Sequence, residues 1–414
     1  MSDDTINPQV DRGKLLRWAG LAALGVAVPW ERTTGAWAGL TRPVALKELR
    51  VGNLLTLSGP NSAPALDVKR GFVTYVKAHN NRLAGRKVHF FDGDDAADPA
   101  TGIRQAQKLV NDNHVDVIEG IFYSSVLLGV RDTINSLKVP TIVANAAANA
   151  ITRDRRSAYI FRTSYTNHQL GASLATWAAK KVTKSGLVVV AANYAAGHES
   201  SDAFKKIYER KGGKVAATIF TPFPTTPDYQ PYLSRVQDEG AKAVWAFAAG
   251  GGESIKFVKQ YQQFGLKGRI PLIGINNLTD PQSVLGSQGD AAMGIRTSAN
   301  WAPTLKNAQN KKFLAAYRRF YGTPSAFAEL GYVAAAFLDH ALDKVHGNTS
   351  NKARFLRAMA QAGSFQTPGG TLKMDPRTHQ VILPFYLRRV VKSKGQYRES
   401  LIGNLGRFTD PGGK

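Results

Sequence analysis

From residue 48 onward, short apolar runs of strand-like composition alternate with amphipathic runs of helical period, and this alternation restricts the fold more than any other feature of the chain. The first strand-like run covers 49–57 and is broken by Ser58-Gly59-Pro60-Asn61 before a helical pattern at about 63–79. Val88-His89-Phe90-Phe91 reads as the second strand, and Asp98-Pro99 marks a helix start, Asp98 as N-cap and Pro99 where its missing N–H costs nothing. Ile103, Ala106, Leu109 and Val110 give that helix its period. Further strands are expected at 115–119, 141–144, 187–191, 214–220, 243–247 and 270–275, and long helical patterns fill 308–321 and 325–346. Alternation of this kind predicts an α/β fold with parallel sheets covered by helices on both faces. Residues 48–160 and 186–290 each hold about four such units, which makes two similar lobes the expected architecture.

Ligands of open α/β sheets bind beyond the carboxyl ends of the strands. The loops at 58–61, 123–125, 145–149 and 250–253 therefore carry the interest, although serines and glycines after strands also serve as ordinary turn formers and caps. In Gly120-Ile121-Phe122-Tyr123-Ser124-Ser125 a strand hands over to a helix at a pair of hydroxyls. Ser124 can be read there as a nucleophile, a helix cap or a clamp for an anion.

Composition narrows the choice. The chain has 414 residues and no cysteine, which excludes thiolate zinc sites, iron–sulfur ligation, cysteine nucleophiles and a lipid-modified N-terminal cysteine. The formal net charge is +24, yet the basic residues are spread along the chain, and the one dense cluster of its first half, Arg153-Asp154-Arg155-Arg156, contains an acid. Such a distribution favours a general attraction for anions over nucleic-acid binding. At the start, Arg12, Lys14 and Arg17 precede a ten-residue apolar core at 19–28, and Ala36-Trp37-Ala38 offers a small-x-small cleavage site. The core is too short to span a bilayer, so residues 1–38 read as an export signal to the periplasm. Its route is of the general secretory type or a degenerate twin-arginine type, with Gly13 where the second arginine belongs.

Motifs for catalysis are missing. There is no G-x-S-x-G elbow, no phosphate-binding G-x-x-x-x-G-K-[ST] loop and no G-x-G-x-x-G after the first strand. Gly250-Gly251-Gly252 follows a strand but lacks the lysine of a nucleotide loop. His198-Glu199-Ser200-Ser201-Asp202 has Asp where a zinc helix needs its second His, and Asp92-Gly93-Asp94-Asp95 lacks the spacing of a calcium loop. Neither a metal nor a cofactor is expected.

Several motifs in order carry a resemblance. They are Leu57-Ser58-Gly59-Pro60, Gly85-Arg86-Lys87-Val88, Asp94-Asp95-Ala96-Ala97-Asp98-Pro99 and Ala106-Gln107-Lys108-Leu109-Val110. Phe161-Arg162-Thr163, Asn193-Tyr194-Ala195-Ala196-Gly197, Phe264-Gly265-Leu266-Lys267 and Pro324-Ser325-Ala326 continue the series. In this pattern the chain resembles the periplasmic Leu/Ile/Val-binding protein family, the type I substrate-binding proteins of ABC importers, over about 48–392. The resemblance implies two doubly wound lobes with parallel-rich sheets, joined by three hinge crossings near 162–166, 295–300 and 366–371. One lobe would be 48–163 with 298–366, the other 164–297 with 367–395, leaving 396–414 as a C-terminal tail. A cleft between such lobes closes on a ligand that contacts both.

The resemblance also implies the site. Ser124, beside Tyr123, matches the serine that holds the ligand carboxylate, and free N–H groups at a helix start suit that task. Asn145, Ala146 and Ala147 match the segment whose backbone faces the ligand, with Ala147 in place of a threonine. Glu253 matches the acid that pairs with a ligand ammonium. Tyr194 and Ala196 belong to the second-lobe wall, Ala196 standing where an aromatic residue is frequent and Asn167 where an Asp is common. The implied ligand is a branched-chain amino acid or a related small carboxylate, including aromatic ones. The implied partners are the permease subunits of an importer, and the protein itself is expected to be a monomer without catalytic activity. Two other functions share the pattern: a ligand sensor acting through a separate partner, and an α/β hydrolase with Ser124 as nucleophile, for which the sequence nominates no base.

Overall fold

The computed structural model describes residues 47–59 and 62–412, so the export segment 1–38 and the Pro60-Asn61 pair lie outside the described residues. The first βα series runs β1 (Leu49–Leu55), α1 (Ser62–Ala78), β2 (Arg82–Leu83), β3 (Arg86–Asp94), α2 (Pro99–Asn111), β4 (Val117–Gly120), α3 (Ser124–Leu137), β5 (Thr141–Val143) and β6 (Ile160–Arg162). After α4 (Asn167–Lys181) the second follows: β7 (Leu187–Ala192), α5 (Ala195–Arg210), β8 (Val215–Thr221), α6 (Gln230–Asp238), β9 (Ala243–Phe247), α7 (Gly251–Gln263), β10 (Leu272–Ile275), the single turn α8 (Gly286–Gln288) and β11 (Arg296–Ala299). The chain then adds α9 (Ala308–Tyr321), α10 (Ala326–Asp343), α11 (Lys352–Ala360), β12 (Ser364–Thr367), β13 (Gly370–Asp375), β14 (Gln380–Ser393) and β15 (Gln396–Phe408). No helix among the described residues is long and apolar enough to cross a membrane.

Both series wind in the same way. The strand order is β3-β1-β4-β5-β6 in one half and β8-β7-β9-β10-β11 in the other, every neighbouring pair in these runs being parallel. That is the doubly wound order in which the chain turns back beside its first strand, leaving a crevice at the carboxyl ends there. The crevice of the first half lies between β1 and β4, and that of the second between β7 and β9. Each half also has a close helix pair built on glycine. A Cβ on Gly71 of α1 would stand 1.9 Å from the Ala328 carbonyl oxygen of α10, and one on Gly171 of α4 would stand 2.0 Å from that of Ser200 in α5. Only hydrogen fits at either crossing, so these helices pack backbone to backbone.

The passages between the halves differ from the expected ones in two places. Arg162 ends β6 and Thr166 caps α4, so the first passage is short; Thr166 Oγ1 accepts from Gln169 N while Gln169 Oε1 accepts from Thr166 N. The stretch near 295–300 is mostly strand, since Arg296–Ala299 pairs with both β10 and β14, and the chain leaves only after it. The proposed boundary between 366 and 367 cuts a hairpin, because Gln366 pairs with Thr371 and Thr367 with Gly370. The third passage occurs inside β14, where Gln380 pairs with Arg162 of one half and Tyr386 with Ala299 of the other. A crossing inside a continuous strand carries no break signal. Residues 396–408 of the expected tail are instead a strand: β15 runs antiparallel to β14, from the pair Ser393↔Gln396 to Leu383↔Phe408.

Candidate functional site

At the first crevice β4 ends at Gly120, whose φ of +112 and 2.7 Å approach of a Cβ to the Leu54 carbonyl oxygen demand glycine. The chain turns through Phe122 and Tyr123 into α3, which starts at Ser124 without a side-chain cap. Ser124 Oγ is itself an acceptor. The N–H groups of Ala147 and Ala148 donate to it at 3.2 and 3.1 Å, so its own proton remains free to donate outward. Asn145 Nδ2 donates to the Phe122 carbonyl at 2.8 Å, tying the loop after β5 to the loop after β4. Beneath them the buried Arg162 donates to the Ala146 and Ala148 carbonyls at 3.0 and 2.8 Å, to Thr152 Oγ1 at 3.1 Å and to Gln380 Oε1 at 2.6 Å. Burial pulls its pKa down to about 10, which leaves it charged at neutral pH. The geometry is of a kind that suits an anion: a hydroxyl with a free proton at an open helix start, on loops locked from behind.

Across from it, α5 also starts without a side-chain cap, at Tyr194. Gly197 is required here, because a Cβ would lie 2.0 Å from the Ala192 carbonyl oxygen at the end of β7. The Tyr194 ring stacks on Phe223 at 4.1 Å and meets Phe247 edge-on at 6.0 Å. In the first half Phe122 packs edge-on against Tyr123 at 5.0 Å and tilted against Phe327 at 5.4 Å. One apolar cluster gathers Phe122, Ala147, Tyr165 and Phe247, with Tyr123, Tyr194, Ala196 and Phe327 packed against it. The phenols sense one another: burial raises the pKa of Tyr194, and Tyr123 and Tyr165 raise it further. Tyr165, on the first passage, is pushed up to about 12, mainly by burial, and accepts from Asn276 Nδ2 at 3.4 Å.

Glu253 is arranged differently. Its Oε2 accepts from Thr226 N at 3.0 Å and from the Tyr229 hydroxyl at 2.9 Å, and its Oε1 pairs with Lys256 Nζ at 3.1 Å. Burial alone would raise its pKa, but these three donors hold it below the ordinary carboxylate value. Tyr229 belongs to a separate core cluster with Phe257 and Leu233. The expected acid is therefore present and ionised, with partners supplied by its own half. Asn167 donates through Nδ2 to Glu199 Oε2 at 2.7 Å, and Asn149 N donates to the same oxygen at 3.1 Å, so Glu199 joins the two halves. Phe223, Tyr165 and Asn276 escape a reading of the sequence, and Glu199 enters it only within the rejected zinc pattern. Phe223 lies in a strand-end loop after β8, a position that could have singled it out.

The other motifs resolve as turns and caps. Asp94 and Asp95 accept from Leu57 N at 2.9 Å and Thr56 Oγ1 at 2.6 Å, closing the end of β3 against that of β1. His198 Nε2 contacts Asn193 Oδ1 at 2.8 Å, and no three His, Cys, Asp or Glu side chains among the described residues gather as for a metal.

Residues 48–396 match the sequence profile of a family described as periplasmic binding protein. The chain belongs to that family. This binding protein is 30% identical over 371 residues, 88% of its length and 93% of the relative's, to the Leu/Ile/Val-binding protein homolog 6 of Brucella melitensis. Its fold matches an ABC transporter substrate-binding protein from Sphaerobacter thermophilus with a TM-score of 0.84 and 33% identity, covering 88% of this chain and 99% of that one. It also matches, at TM-score 0.78 and 30% identity, over 88% and 99% of the two chains, a solute binding protein of an ABC transporter from Rhodopseudomonas palustris in complex with 3,4-dihydroxybenzoic acid. The family is one of extracytoplasmic, non-enzymatic solute-binding proteins of ABC transporters. The hydrolase reading gives way to this family assignment, and Ser124 Oγ accepts from the amides of Ala147 and Ala148.

Proposed function

We propose that this binding protein captures a small aromatic carboxylate between its two halves and delivers it to the permease subunits of an ABC importer. Ser124, with Asn145, Ala146 and Ala147 behind it, takes the carboxylate at the start of α3. Tyr123 and Phe122 on one side and Tyr194, Ala196 and Phe223 on the other enclose the ring. The observation that carries this reading is the contrast in free bonding capacity: Ser124 keeps a proton to donate, while Glu253 has three donors of its own. An α-amino acid needs an acid for its ammonium; an aromatic acid needs apolar walls, and the rings provide them. The aromatic acid held by the R. palustris relative supports the same class. Release from the membrane after Ala38 and action as a monomer complete the proposal.

Calorimetric titration with benzoate-type acids and with leucine or valine tests it. The aromatic acids should bind one to one without turnover and stabilise the fold by about 2.7 kcal/mol at a hundredfold excess over Kd. Tighter binding of leucine than of any aromatic acid would overturn the assignment.

A further inference from the structure

Outside the aromatic cluster, an open pocket of about 270 Å³ is lined by Thr152, Arg153, Arg156, Arg377, Thr378, Pro411 and Gly412. Its arginines come from the dense basic cluster at 153–156 and from the turn between β13 and β14, and its far wall from the segment after β15. Two carboxylates pair with its arginines. Asp410 accepts from Arg153 Nε and Nη2, both at 3.3 Å, and Asp375 accepts from Arg377 Nε and Nη2 at 3.3 and 3.0 Å. Each takes one edge of its guanidinium and leaves Nη1 without a hydrogen-bond partner among the described residues. Arg156 donates through Nη1 to the Arg377 carbonyl, and its Nε and Nη2 are without partners there. Of the other acids nearby, Asp132 is taken by Arg131 and Arg155, while Asp154, inside the cluster itself, is exposed and has no salt bridge among the described residues; the Arg131 side chain buttresses the cluster by donating to the Arg155 carbonyl at 2.9 Å and the Arg156 carbonyl at 3.2 Å. Three guanidiniums thus meet two carboxylates around an open space, with unused N–H groups from all three arginines. Arg156 also helps burial to depress the pKa of the neighbouring His379, to about 4, as expected for a site of positive potential.

We propose that this pocket binds a phosphate group, as inorganic phosphate or as a small phosphate monoester. Guanidinium edges match phosphate oxygens in bidentate geometry, and the doubly charged anion answers the surplus charge better than chloride does. A bound phosphate ties the segment at 410–412 to the loop at 152–156, which Asp410 and Arg153 already link.

The test is titration of the full chain with inorganic phosphate, and separately with glycerol phosphate, at constant ionic strength set by chloride. Saturable binding and a raised Tm are expected with at least one of them, and the tighter of the two names the form. Both Arg156 and Arg377 are exposed, so Arg156→Gln/Arg377→Gln should fold and should lose at least about tenfold in phosphate affinity, since a charge-assisted bond is worth that much or more. Lys205→Gln/Lys211→Gln removes the same charge from exposed positions on and after α5 and should leave phosphate binding within about twofold. Equal loss in both double variants would reduce the effect to the general field of the protein and overturn the site. So would equal stabilisation by chloride, or unchanged phosphate affinity in the arginine variant. The aromatic-acid affinity, measured in parallel, should be the same in all three proteins, so failure of this site is distinguishable from failure of the cleft reading.

Discussion

The first half of the molecule meets the crevice with Ser124, and the second half meets its own crevice with Glu253. Both residues stand in the first turn of an uncapped helix that follows a central strand, and both are the polar residues that a sequence reading selects. Their surroundings separate them. Two amides point at the serine oxygen and leave its proton unused; an amide, a phenol and an ammonium group all point at the glutamate and leave it satisfied. The same position in two similarly wound halves keeps bonding capacity in one and is satisfied by the scaffold in the other. What decides availability is the count of partners already made, and partners arrive from distant segments.

The largest effect should come from the scaffold of the open side. Arg162 supplies the donors for the Ala146 and Ala148 carbonyls, and both lie in a buried loop. In Arg162→Met those carbonyls and Gln380 Oε1 lose them, and each buried acceptor left without a donor costs roughly 1–3 kcal/mol. Denaturant unfolding should show a loss of at least about 3 kcal/mol, with weakened carboxylate binding in whatever still folds. A loss below about 1 kcal/mol would mean that the loop is held by packing and that the cradle is not locked from behind.

Next comes the serine itself. Ser124→Ala removes the one outward proton but keeps the N–H groups of α3, so carboxylate affinity should fall by about 1.5–3 kcal/mol without vanishing. Calorimetry with the acid and with its neutral amide should show a smaller loss for the amide. Unchanged affinity for the acid would place the carboxylate elsewhere and erase the contrast between the halves.

Partner count also sets charge. Glu119 in β4 is fully buried, neither carboxyl oxygen has a hydrogen-bond partner, and burial raises its pKa to about 8. Glu329 in α10 is raised to about 8 by burial too, although Asn300 Nδ2 donates to it at 3.1 Å. Both are protonated in the folded protein at neutral pH and ionised in the unfolded chain. Their contribution is therefore complete below the ordinary glutamate pKa and lost as pH rises toward 8, at on the order of 1 kcal/mol per pH unit for each group. The carboxylates with lowered values, Glu253 and Asp375 among them, act only at acid pH and do not offset this slope. Unfolding measured between pH 6 and 8 should show stability falling with pH in the wild type and a shallower fall in Glu119→Gln. Parallel slopes would show that Glu119 is ionised and has found a partner.

The βα alternation was legible because burial on both faces writes itself into apolar runs and helical periods, and the strand order repeats that regularity. The place of Ser124 at the start of α3 was legible because the handover from β4 to α3 is local. β15 was not: it alternates half-buried residues such as Tyr397 and Leu401 with exposed Gln396 and Ile402 and contains Gly403 and Gly406, so its order comes from pairing with β14. The third passage hid inside β14 for the same reason. Glu253 was found as an acid after a glycine run, but Thr226 and Tyr229, which occupy it, sit on a different loop, and no spacing near residue 253 announces them.

The smallest expected effect is the most informative about the closed side. In Glu253→Gln the amide keeps one acceptor for Thr226 N or Tyr229, but its NH2 group faces a donor, and Lys256, about a third exposed, loses its counter-charge. Stability should fall by about 1 kcal/mol, since a partly exposed ion pair contributes little beyond its hydrogen bonds. Aromatic-acid affinity should stay within about 0.5 kcal/mol of wild type, because the residue's partners are all in its own half. Calorimetry on the two proteins decides. If the variant instead loses about 3 kcal/mol or more of ligand affinity while its stability holds, the carboxylate pairs with the ligand when the halves close. The ligand would then carry an ammonium group, and the second half would be as open as the first.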